Sequence, residues 1–192
     1  MKKVLIINGH PNPDSFNYAL SEAYLRGAQK NSAEIMQLNL AALDFDPNLQ
    51  FGYQKVMPLE PDLQMATEQI KAADHLVWIF PLWWFGYPAL MKGFIDRVFL
   101  PGVAFKYRKN NPIPEKLLKG KSARVIITAD TPYWYYRLVM RGAATRQLKK
   151  GTLEFSGISP VKVSYIGPIM NAKPAFLEKQ LAKVEQLGSR LV

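Results

Sequence analysis

Hydrophobic and polar positions divide the chain into short apolar segments and longer segments with helical periodicity. The apolar segments are rich in β-branched or aromatic residues, and three of them are almost continuously apolar. That pattern is typical of parallel strands that are covered by helices on both faces. Strands are predicted at residues 3–8, 34–38, 75–80, 123–129 and 161–166. Helices are predicted at 15–30, 62–73, 88–99, part of 131–150 and 174–190.

This alternation predicts an α/β fold with a doubly wound parallel sheet of five strands and right-handed crossovers. In the last helix, Leu177, Leu181, Val184 and Gly188 form one stripe that would pack against the sheet. No repeat or linker interrupts the pattern, so residues 1–192 are predicted to form one domain. Ligands of such sheets bind beyond the carboxyl ends of the strands.

The segment 44–62 is too long for a simple turn, and its three prolines prevent it from continuing either flanking helix. A functional flap is one interpretation of such a segment.

The composition excludes several classes of protein and of functional site. With 192 residues and 48% hydrophobic content, the chain is long enough for one α/β domain. The absence of cysteine excludes disulfides, thiolate metal sites, a cysteine nucleophile and a redox dithiol, and no metal site is predicted. No apolar stretch reaches the roughly 20 residues of a membrane span, and the amino-terminal apolar run is too short for a signal peptide. These features predict a cytoplasmic protein.

The formal net charge of +10 lies in one region. Residues 106–150 contain twelve Lys or Arg but only Glu115 and Asp130, whereas the rest of the chain balances thirteen basic against thirteen acidic residues. The region is either a solubilising face or an anion site. Because no nucleic-acid-binding motif accompanies it, nucleic acid is not a predicted partner.

The first predicted strand runs into the loop NGHPNPDSFNYAL at residues 8–20. Asp14 or Ser15 is suited to cap the next helix, which would leave the backbone N–H groups of Phe16 and Asn17 free. Free N–H groups and the helix dipole together favour an anion. His10 is placed to donate to a phosphate oxygen, although it would alternatively satisfy a loop carbonyl.

The third predicted strand ends in PLWWFG, which begins at Pro81. Exposed at the sheet edge, Trp83, Trp84 and Phe85 would form an apolar patch that a monomer rarely leaves bare. A planar aromatic cofactor stacked on these rings explains the patch. The alternative is that these residues are ordinary core or dimer contacts.

The stretches GHPNPDSFNYAL, DFDPNL and PLWWFGYPALMKGFIDRVFLPGVAF resemble the flavodoxin-like NAD(P)H:quinone oxidoreductases, the DT-diaphorase family. The resemblance covers most of residues 3–130. It implies a flavodoxin-like sheet in the order 2-1-3-4-5, a homodimer with active sites at its interface, and FAD, or FMN in some members, as the cofactor.

The same resemblance implies roles for individual residues. The flavin phosphate would be held by His10, Ser15, Phe16 and Asn17. The isoalloxazine ring would be lined by Pro81, Leu82, Trp83, Trp84 and Phe85.

The chain departs from the family after the fourth predicted strand, where it reads TADTPYWYY at residues 128–136. Thr128 fits the family's T-T-G-G motif as a flavin contact, but the next three residues do not, and Asp130 is expected to cap the following helix. No histidine follows His75, so the family's histidine partner is missing. Tyr136 is the best spaced candidate for the family's catalytic tyrosine, with Tyr133 and Tyr135 as rivals.

The implied mechanism is ping-pong: NADPH or NADH passes a hydride to flavin N5, leaves, and a quinone-like acceptor then takes two electrons from the same site. Arg137, Arg141 or Arg146 would attract the phosphates of NADPH or of FAD, and the basic surface also favours peripheral contact with anionic membranes.

Two alternative functions stay open. One is a flavodoxin-type electron carrier, and the other is an ancillary flavoprotein subunit of a potassium-efflux transporter.

Overall fold

The computed structural model describes residues 1–191. Five strands form one parallel sheet, in the order β2-β1-β3-β6-β7. They are β1 (Lys3–Asn8), β2 (Glu34–Asn39), β3 (His75–Pro81), β6 (Ser122–Thr128) and β7 (Val161–Ile166). The remaining two strands, β4 (Phe105–Arg108) and β5 (Asn111–Lys116), pair as a separate antiparallel hairpin. With the hairpin left out of the count, the predicted order 2-1-3-4-5 is confirmed.

Four helices lie within one residue of their predicted bounds: α1 (Phe16–Gln29), α2 (Pro61–Ala72), α3 (Ala89–Val98) and α5 (Pro174–Arg190). The segment between β6 and β7 is helical but irregular. It consists of a π-helical turn (Tyr135–Val139), α4 (Ala143–Arg146) and a π-helical segment (Gln147–Glu154). The sequence predicted a helix here but not its conformation.

Alternate residues of the central strands enter two separate hydrophobic cores, as a doubly wound sheet requires. Leu5 and Trp78 face the core that α2, α3 and the irregular helical segment cover. Ile6 and Val77 face the core that α1 and α5 cover. The predicted helices on both faces are therefore confirmed.

Helices α1 and α5 pack closely because each has a glycine at the crossing. A Cβ atom at Gly27 would lie 1.9 Å from the Glu185 carbonyl oxygen, and one at Gly188 would lie 2.2 Å from that of Tyr24. Val184 and Gly188 of the predicted stripe are buried, and Leu181 packs beside them. This contact fixes the helix that begins at the first loop.

The loop after β2 is fastened at its base by the buried side chain of Arg97, from α3. The Arg97 guanidinium donates to the carbonyl oxygens of Asp46 and Pro58 and to both carboxylate oxygens of Glu60. The loop's tip is exposed, and Val56 there is 87% accessible. The sequence predicted an irregular segment but not this anchor.

Over residues 1–191, no helix has both the length and the apolar character that crossing a membrane requires.

Candidate functional site at the carboxyl edge of the sheet

The loop after β1 is ordered by Asn8 and His10. The Oδ1 atom of buried Asn8 accepts a hydrogen bond from the His10 backbone N–H at 3.0 Å. The His10 ring accepts one from the Asn12 backbone N–H at 3.0 Å through Nδ1. A ring nitrogen that accepts carries no proton, so Nε2 is the protonated nitrogen of neutral His10. Partial burial lowers the pKa of His10 and favours this neutral form.

Three buried donors at this edge have no hydrogen-bond partner within residues 1–191: Asn8 Nδ2, Ser15 Oγ and Asn17 Nδ2. Ser15 occupies the N-cap position of α1, but its hydroxyl makes no capping bond. The backbone N–H groups of Phe16 and Asn17 are likewise without an acceptor in that part of the chain. A buried donor without a partner is destabilising by about 1 to 3 kcal/mol, so this cluster points to an acceptor that the chain does not supply.

Thr128 joins the end of β6 to the start of α1. Its Oγ1 donates to Asn17 Oδ1 at 2.9 Å, and both residues are buried. Because this bond fixes the orientation of the Asn17 amide, it leaves the unpartnered NH₂ group available to a ligand. Thr128 therefore orients a donor, a role that the resemblance did not indicate.

After β3 the chain makes a tight turn in which Trp83 and Gly86 exchange backbone hydrogen bonds of 2.9 and 2.8 Å. Its two central residues, Trp84 and Phe85, have φ angles of +49° and +59°. Such a turn normally carries Asn and Gly, because bulky side chains are strained at positive φ. Strain of this kind persists mainly at functional sites.

The turn presents its rings to the surface, beside the first loop. Trp84 is 99% accessible and Trp83 is 45% accessible, and the Trp83 ring meets the His10 ring edge on at 5.7 Å. Leu82 lies below them against the core, and buried Pro81 ends β3. The two predicted groups of site residues are thus adjacent in space.

The three candidate tyrosines after β6 differ in their surroundings. Tyr136 is 2% accessible, and its hydroxyl contacts Thr145 Oγ1 at 2.8 Å and accepts from the Thr145 N–H at 2.9 Å. Tyr133 packs on Tyr165. The Tyr135 ring lies 6.2 Å from that of Phe85, in the exposed turn. A catalytic role for Tyr136 stays a prediction, and its hydroxyl is already engaged.

The sequence predicted that Asp130 caps the following helix, and this prediction is wrong. Its carboxylate instead accepts a hydrogen bond from the Met170 backbone N–H at 2.6 Å, which ties the loop after β6 to the loop after β7. The contact joins residues forty positions apart, so no local pattern indicated it.

Taken together, the edge offers a cluster of unpartnered donors for an anion and, next to it, exposed rings for a planar apolar group. Asn8 belongs to this cluster although sequence reasoning missed it. The available signal was a polar side chain at the end of an otherwise apolar buried strand.

The chain is similar to proteins that act on nicotinamide dinucleotides and quinones. It is 31% identical over 127 residues to NAD(P)H dehydrogenase [quinone] 1 of Rattus norvegicus, an alignment that covers 56% of this chain and 46% of the rat protein. The chain thus spans about half the length of the curated relatives that it matches first. This match confirms the resemblance to NAD(P)H:quinone oxidoreductases.

Solved structures align over nearly the whole chain. Smu.1420 from Streptococcus mutans UA159 has 36% identity and a TM-score of 0.85, with 98% of this chain and 99% of that protein covered. The NAD(P)H:quinone oxidoreductase from Methanothermobacter marburgensis has 27% identity and a TM-score of 0.82, with 99% and 96% covered. An FMN-dependent NADH-azoreductase from Bacillus anthracis, solved with FMN, has 25% identity and a TM-score of 0.75, with 100% and 99% covered.

A family model described as a flavodoxin-like fold matches residues 2–187. The match includes the five parallel strands, the first loop and the turn after β3. The chain therefore belongs to the family of proteins with a flavodoxin-like fold.

Proposed function

We propose that the chain is a flavin-dependent NAD(P)H oxidoreductase that passes two electrons to quinones or similar small acceptors. One observation carries the proposal: three unpartnered buried donors lie beside a strained turn that exposes Trp83 and Trp84. A flavin nucleotide meets both needs, because its phosphate accepts hydrogen bonds and its ring system is planar and aromatic.

Relatives support the same activity. The rat and Methanothermobacter proteins are named for NAD(P)H and quinone, and the Bacillus anthracis structure contains FMN. When bound, a flavin accepts a hydride from a nicotinamide and releases two electrons to an acceptor. The sequence resemblance favours FAD and the Bacillus structure favours FMN, so the bound flavin must be measured.

The residues of the first loop would hold the phosphate. Ser15 Oγ, Asn17 Nδ2 and the backbone N–H groups at the start of α1 are available donors, and His10 adds its Nε2–H. The Trp83 and Phe85 rings would flank the ring system. The backbone N–H groups of Trp84 and Phe85, which have no acceptor among the described residues, would reach its polar edge.

We assign the assisting tyrosine to Tyr135 in preference to Tyr136. Tyr135 is 36% accessible and touches Phe85, whereas the Tyr136 hydroxyl already contacts Thr145 on two atoms. Replacing Tyr135 by Phe is expected to slow turnover several-fold and leave flavin content unchanged. Replacing Tyr136 by Phe is expected to lower stability instead. The reverse pattern would contradict the assignment.

The deciding experiment combines a spectrum with rapid kinetics. The purified protein is incubated with FMN or with FAD and freed of excess flavin, and its absorbance spectrum is recorded. Mass spectrometry of the released chromophore then identifies the flavin. Anaerobic stopped-flow mixing with NADPH or NADH tests direct reduction. A protein that retains neither flavin overturns the proposal, and one that binds flavin without being reduced is an electron carrier or an ancillary subunit.

A matched pair of variants tests the place of binding. Trp83→Ala removes a ring beside His10 and is expected to weaken flavin binding by about tenfold or more. Tyr107→Ala removes an aromatic ring that is 70% accessible on the β4–β5 hairpin, and flavin affinity should not change. Equal losses in the two variants would place the flavin elsewhere.

We further propose that a second copy of the chain covers the exposed rings. The patch continues from Phe85 through Tyr135 to Trp134 and includes Leu138, which is 72% accessible. An apolar surface continuous with the site is suited to a partner that closes the site. Analytical ultracentrifugation should show a dimer that Leu138→Glu converts to a monomer and Tyr107→Glu does not. A monomeric wild-type protein would contradict this proposal.

A further inference from the structure

A second cavity, of about 750 Å³, lies over the outer strand β7, and the residues proposed to hold the flavin phosphate and to flank the ring system do not line it. Its volume is within the range of small-molecule sites, about 300 to 1,000 Å³. Five cationic side chains surround it: Arg137, Arg141, Arg146, Lys149 and Lys150. No acidic side chain is among its lining residues within the described part of the chain.

Four of these five cations have no acidic partner among the described residues. Within residues 1–191, no carboxylate lies within 4 Å of Arg137, Arg141, Arg146 or Lys150. Lys149 alone is engaged, with the Val161 carbonyl oxygen at 2.8 Å and Glu154 at 3.7 Å. Like charges that converge on a concave surface repel one another and attract a multivalent anion, and arginine suits phosphate because its guanidinium donates in pairs.

The backbone beside the cavity is strained at Arg141, whose φ is +51°, and the next residue, Gly142, has a φ of +61°. Asparagine or glycine would adopt the Arg141 conformation more easily. An arginine in this conformation is the kind of local strain that accompanies binding sites.

Aromatic rings form the other wall. Tyr165 stacks on Tyr136 with ring centroids 5.2 Å apart, and the Tyr133 ring lies 5.2 Å from Tyr165. The Tyr165 hydroxyl donates to the Thr131 carbonyl oxygen at 2.6 Å. Burial raises the pKa of Tyr165 to about 12, so its hydroxyl carries no charge at neutral pH. Such rings are suited to contact a nucleobase.

From these observations we infer that the cavity binds a nucleotide, with its phosphate groups among Arg137, Arg141, Arg146 and Lys150 and its base against the tyrosines. Two sources share this chemistry. One is the adenosine phosphate portion of NADPH or NADH, which would connect the cavity to the proposed reaction. The other is a free nucleotide that acts as an effector. Binding itself does not depend on the proposed function.

The test measures ADP and pyrophosphate binding to the flavin-incubated protein by isothermal titration calorimetry. The cavity variant is Arg141→Asn with Arg146→Gln, in which asparagine tolerates the left-handed backbone. The control variant, Arg108→Gln with Lys109→Gln, removes the same charge from exposed positions of the β4–β5 hairpin. Arg137→Gln with Lys150→Gln is a second cavity variant in case the first is unfolded by circular dichroism.

We expect the cavity variants to weaken ADP binding by about tenfold or more and the control variant to change it less than twofold. Pyrophosphate should bind more weakly than ADP because it lacks a base. Equal losses in cavity and control variants, no ADP binding by the wild type, or pyrophosphate binding as tight as ADP binding would each overturn the inference.

Steady-state kinetics then distinguishes the sources. If the KM for NADPH rises in the cavity variants and ADP competes with NADPH, the cavity holds part of the cosubstrate. If that KM is unchanged while ADP binding is lost, the cavity holds a free nucleotide. A protein that binds ADP in the cavity but lacks flavin would leave this inference intact and refute the proposed function alone.

Discussion

The amino and carboxyl edges of the same sheet differ in how their polar groups are hydrogen-bonded. At the amino edge, Asp74 Oδ2 accepts from the Lys3 N–H at 2.8 Å, and the His75 ring contacts Ser122 Oγ at 2.7 Å. Lys121 Nζ donates to two carbonyl oxygens at the end of α2. These contacts all join groups of the chain itself, which is typical of contacts that stabilise a fold, although buried His75 Nε2 makes no hydrogen bond within residues 1–191.

At the carboxyl edge, Asn8, Ser15 and Asn17 keep donors without partners, and Trp84 and Phe85 are held at positive φ. The carboxyl edge thus combines three unpaired buried donors with two bulky residues in a strained turn. Unpaired donors, strained backbone and exposed rings coincide beyond the carboxyl ends of the strands, where ligands of such sheets bind, and this coincidence supports the proposed site.

One part of the carboxyl edge behaves like the amino edge. The loop after β2 is held by Arg97, whose guanidinium makes four hydrogen bonds to the loop and to Glu60. Burial alone would raise the pKa of Glu60, but the hydrogen bonds from Arg97 and the Asp46 N–H hold it below its ordinary value. The base of this loop is therefore structural, whatever its exposed tip does.

The largest effect on stability is expected for Arg97→Met, which removes two hydrogen bonds from the Glu60 carboxylate and the Arg97 donor from two carbonyl groups. The free energy of unfolding should fall by about 3 kcal/mol, measured by urea denaturation. Lys92→Met on the same helix removes a partly exposed ion pair with Asp96 and should cost less than about 1 kcal/mol. Similar losses in the two variants would show that the loop base is not anchored as described.

Acid should weaken the same anchor. Because the folded pKa of Glu60 is depressed, its contribution is present above the unfolded pKa and is lost as pH falls through the folded value. The difference between wild type and Arg97→Met should shrink on acidification. A difference that stays constant down to low pH would contradict the role of the carboxylate.

The next effect concerns His75 at the amino edge. Burial, followed by the charges of Lys2, Arg124 and Lys162, lowers the pKa of His75 to about 4 from 6.5. The unfolded chain therefore binds a proton that the folded chain excludes, and stability falls as pH drops below about 6.5. Between pH 7 and pH 5 the loss should be about 2 kcal/mol.

Urea denaturation of His75→Gln measures this contribution, because glutamine does not titrate. The variant should show a smaller pH dependence than the wild type over the same range, and flavin affinity should be unchanged. His10→Gln is the matched control at the other edge: it should weaken flavin binding and leave the pH dependence of unfolding nearly intact. An exchange of these two results would contradict the division between the edges.

One pair of substitutions in the turn after β3 should raise the stability of the protein, in contrast to those described above. Replacing Trp84 by Asn and Phe85 by Gly supplies the residues that this turn prefers, and should raise the free energy of unfolding by about 1.5 kcal/mol. Flavin binding should weaken at the same time, because the rings are lost. Trp84→Ala with Phe85→Ala removes the rings but keeps strained residues, so it should weaken binding without the gain in stability.

The sheet and most of its helices were predictable because their residues repeat with simple periods. Short apolar segments such as 75–80, rich in β-branched and aromatic residues, are typical of strands that are buried on both faces, and their alternation with helices favours a doubly wound parallel sheet. The β4–β5 hairpin was missed because Asn111, Pro112 and Pro114 belong to an exposed strand with no alternation. The pairing of β4 with β5 comes from backbone hydrogen bonds between two adjacent segments, which the hydrophobic pattern does not reveal.

The loops of the candidate site were predictable from the sequence, but the long-range contacts of their side chains were not. A lone arginine on a helix is normally exposed, and the burial of Arg97 depends on a loop 37 residues away. In the same way, the burial of Tyr136 against Tyr165 and the contact of Asp130 with Met170 are set by the packing of β7. Local spacing carries no information about such partners.

The smallest effect should come from Thr128→Val, which removes the hydroxyl that orients Asn17 but keeps the shape of the side chain. Buried Asn17 Oδ1 then lacks its partner, so stability should fall by about 1 kcal/mol. The Asn17 amide also becomes free to rotate, and flavin should dissociate several-fold faster. Thr128→Ser should restore both properties because it returns the donor.

Thr67→Val provides the matched comparison, because its buried hydroxyl donates to the Leu63 carbonyl within α2, away from the proposed site. That variant should alter stability alone. If Thr128→Val changed stability to the same extent and left flavin dissociation unaffected, Thr128 would belong with the paired groups of the amino edge. A faster dissociation with recovery in Thr128→Ser would instead show that the carboxyl edge uses even its satisfied hydrogen bonds to aim a donor at the ligand.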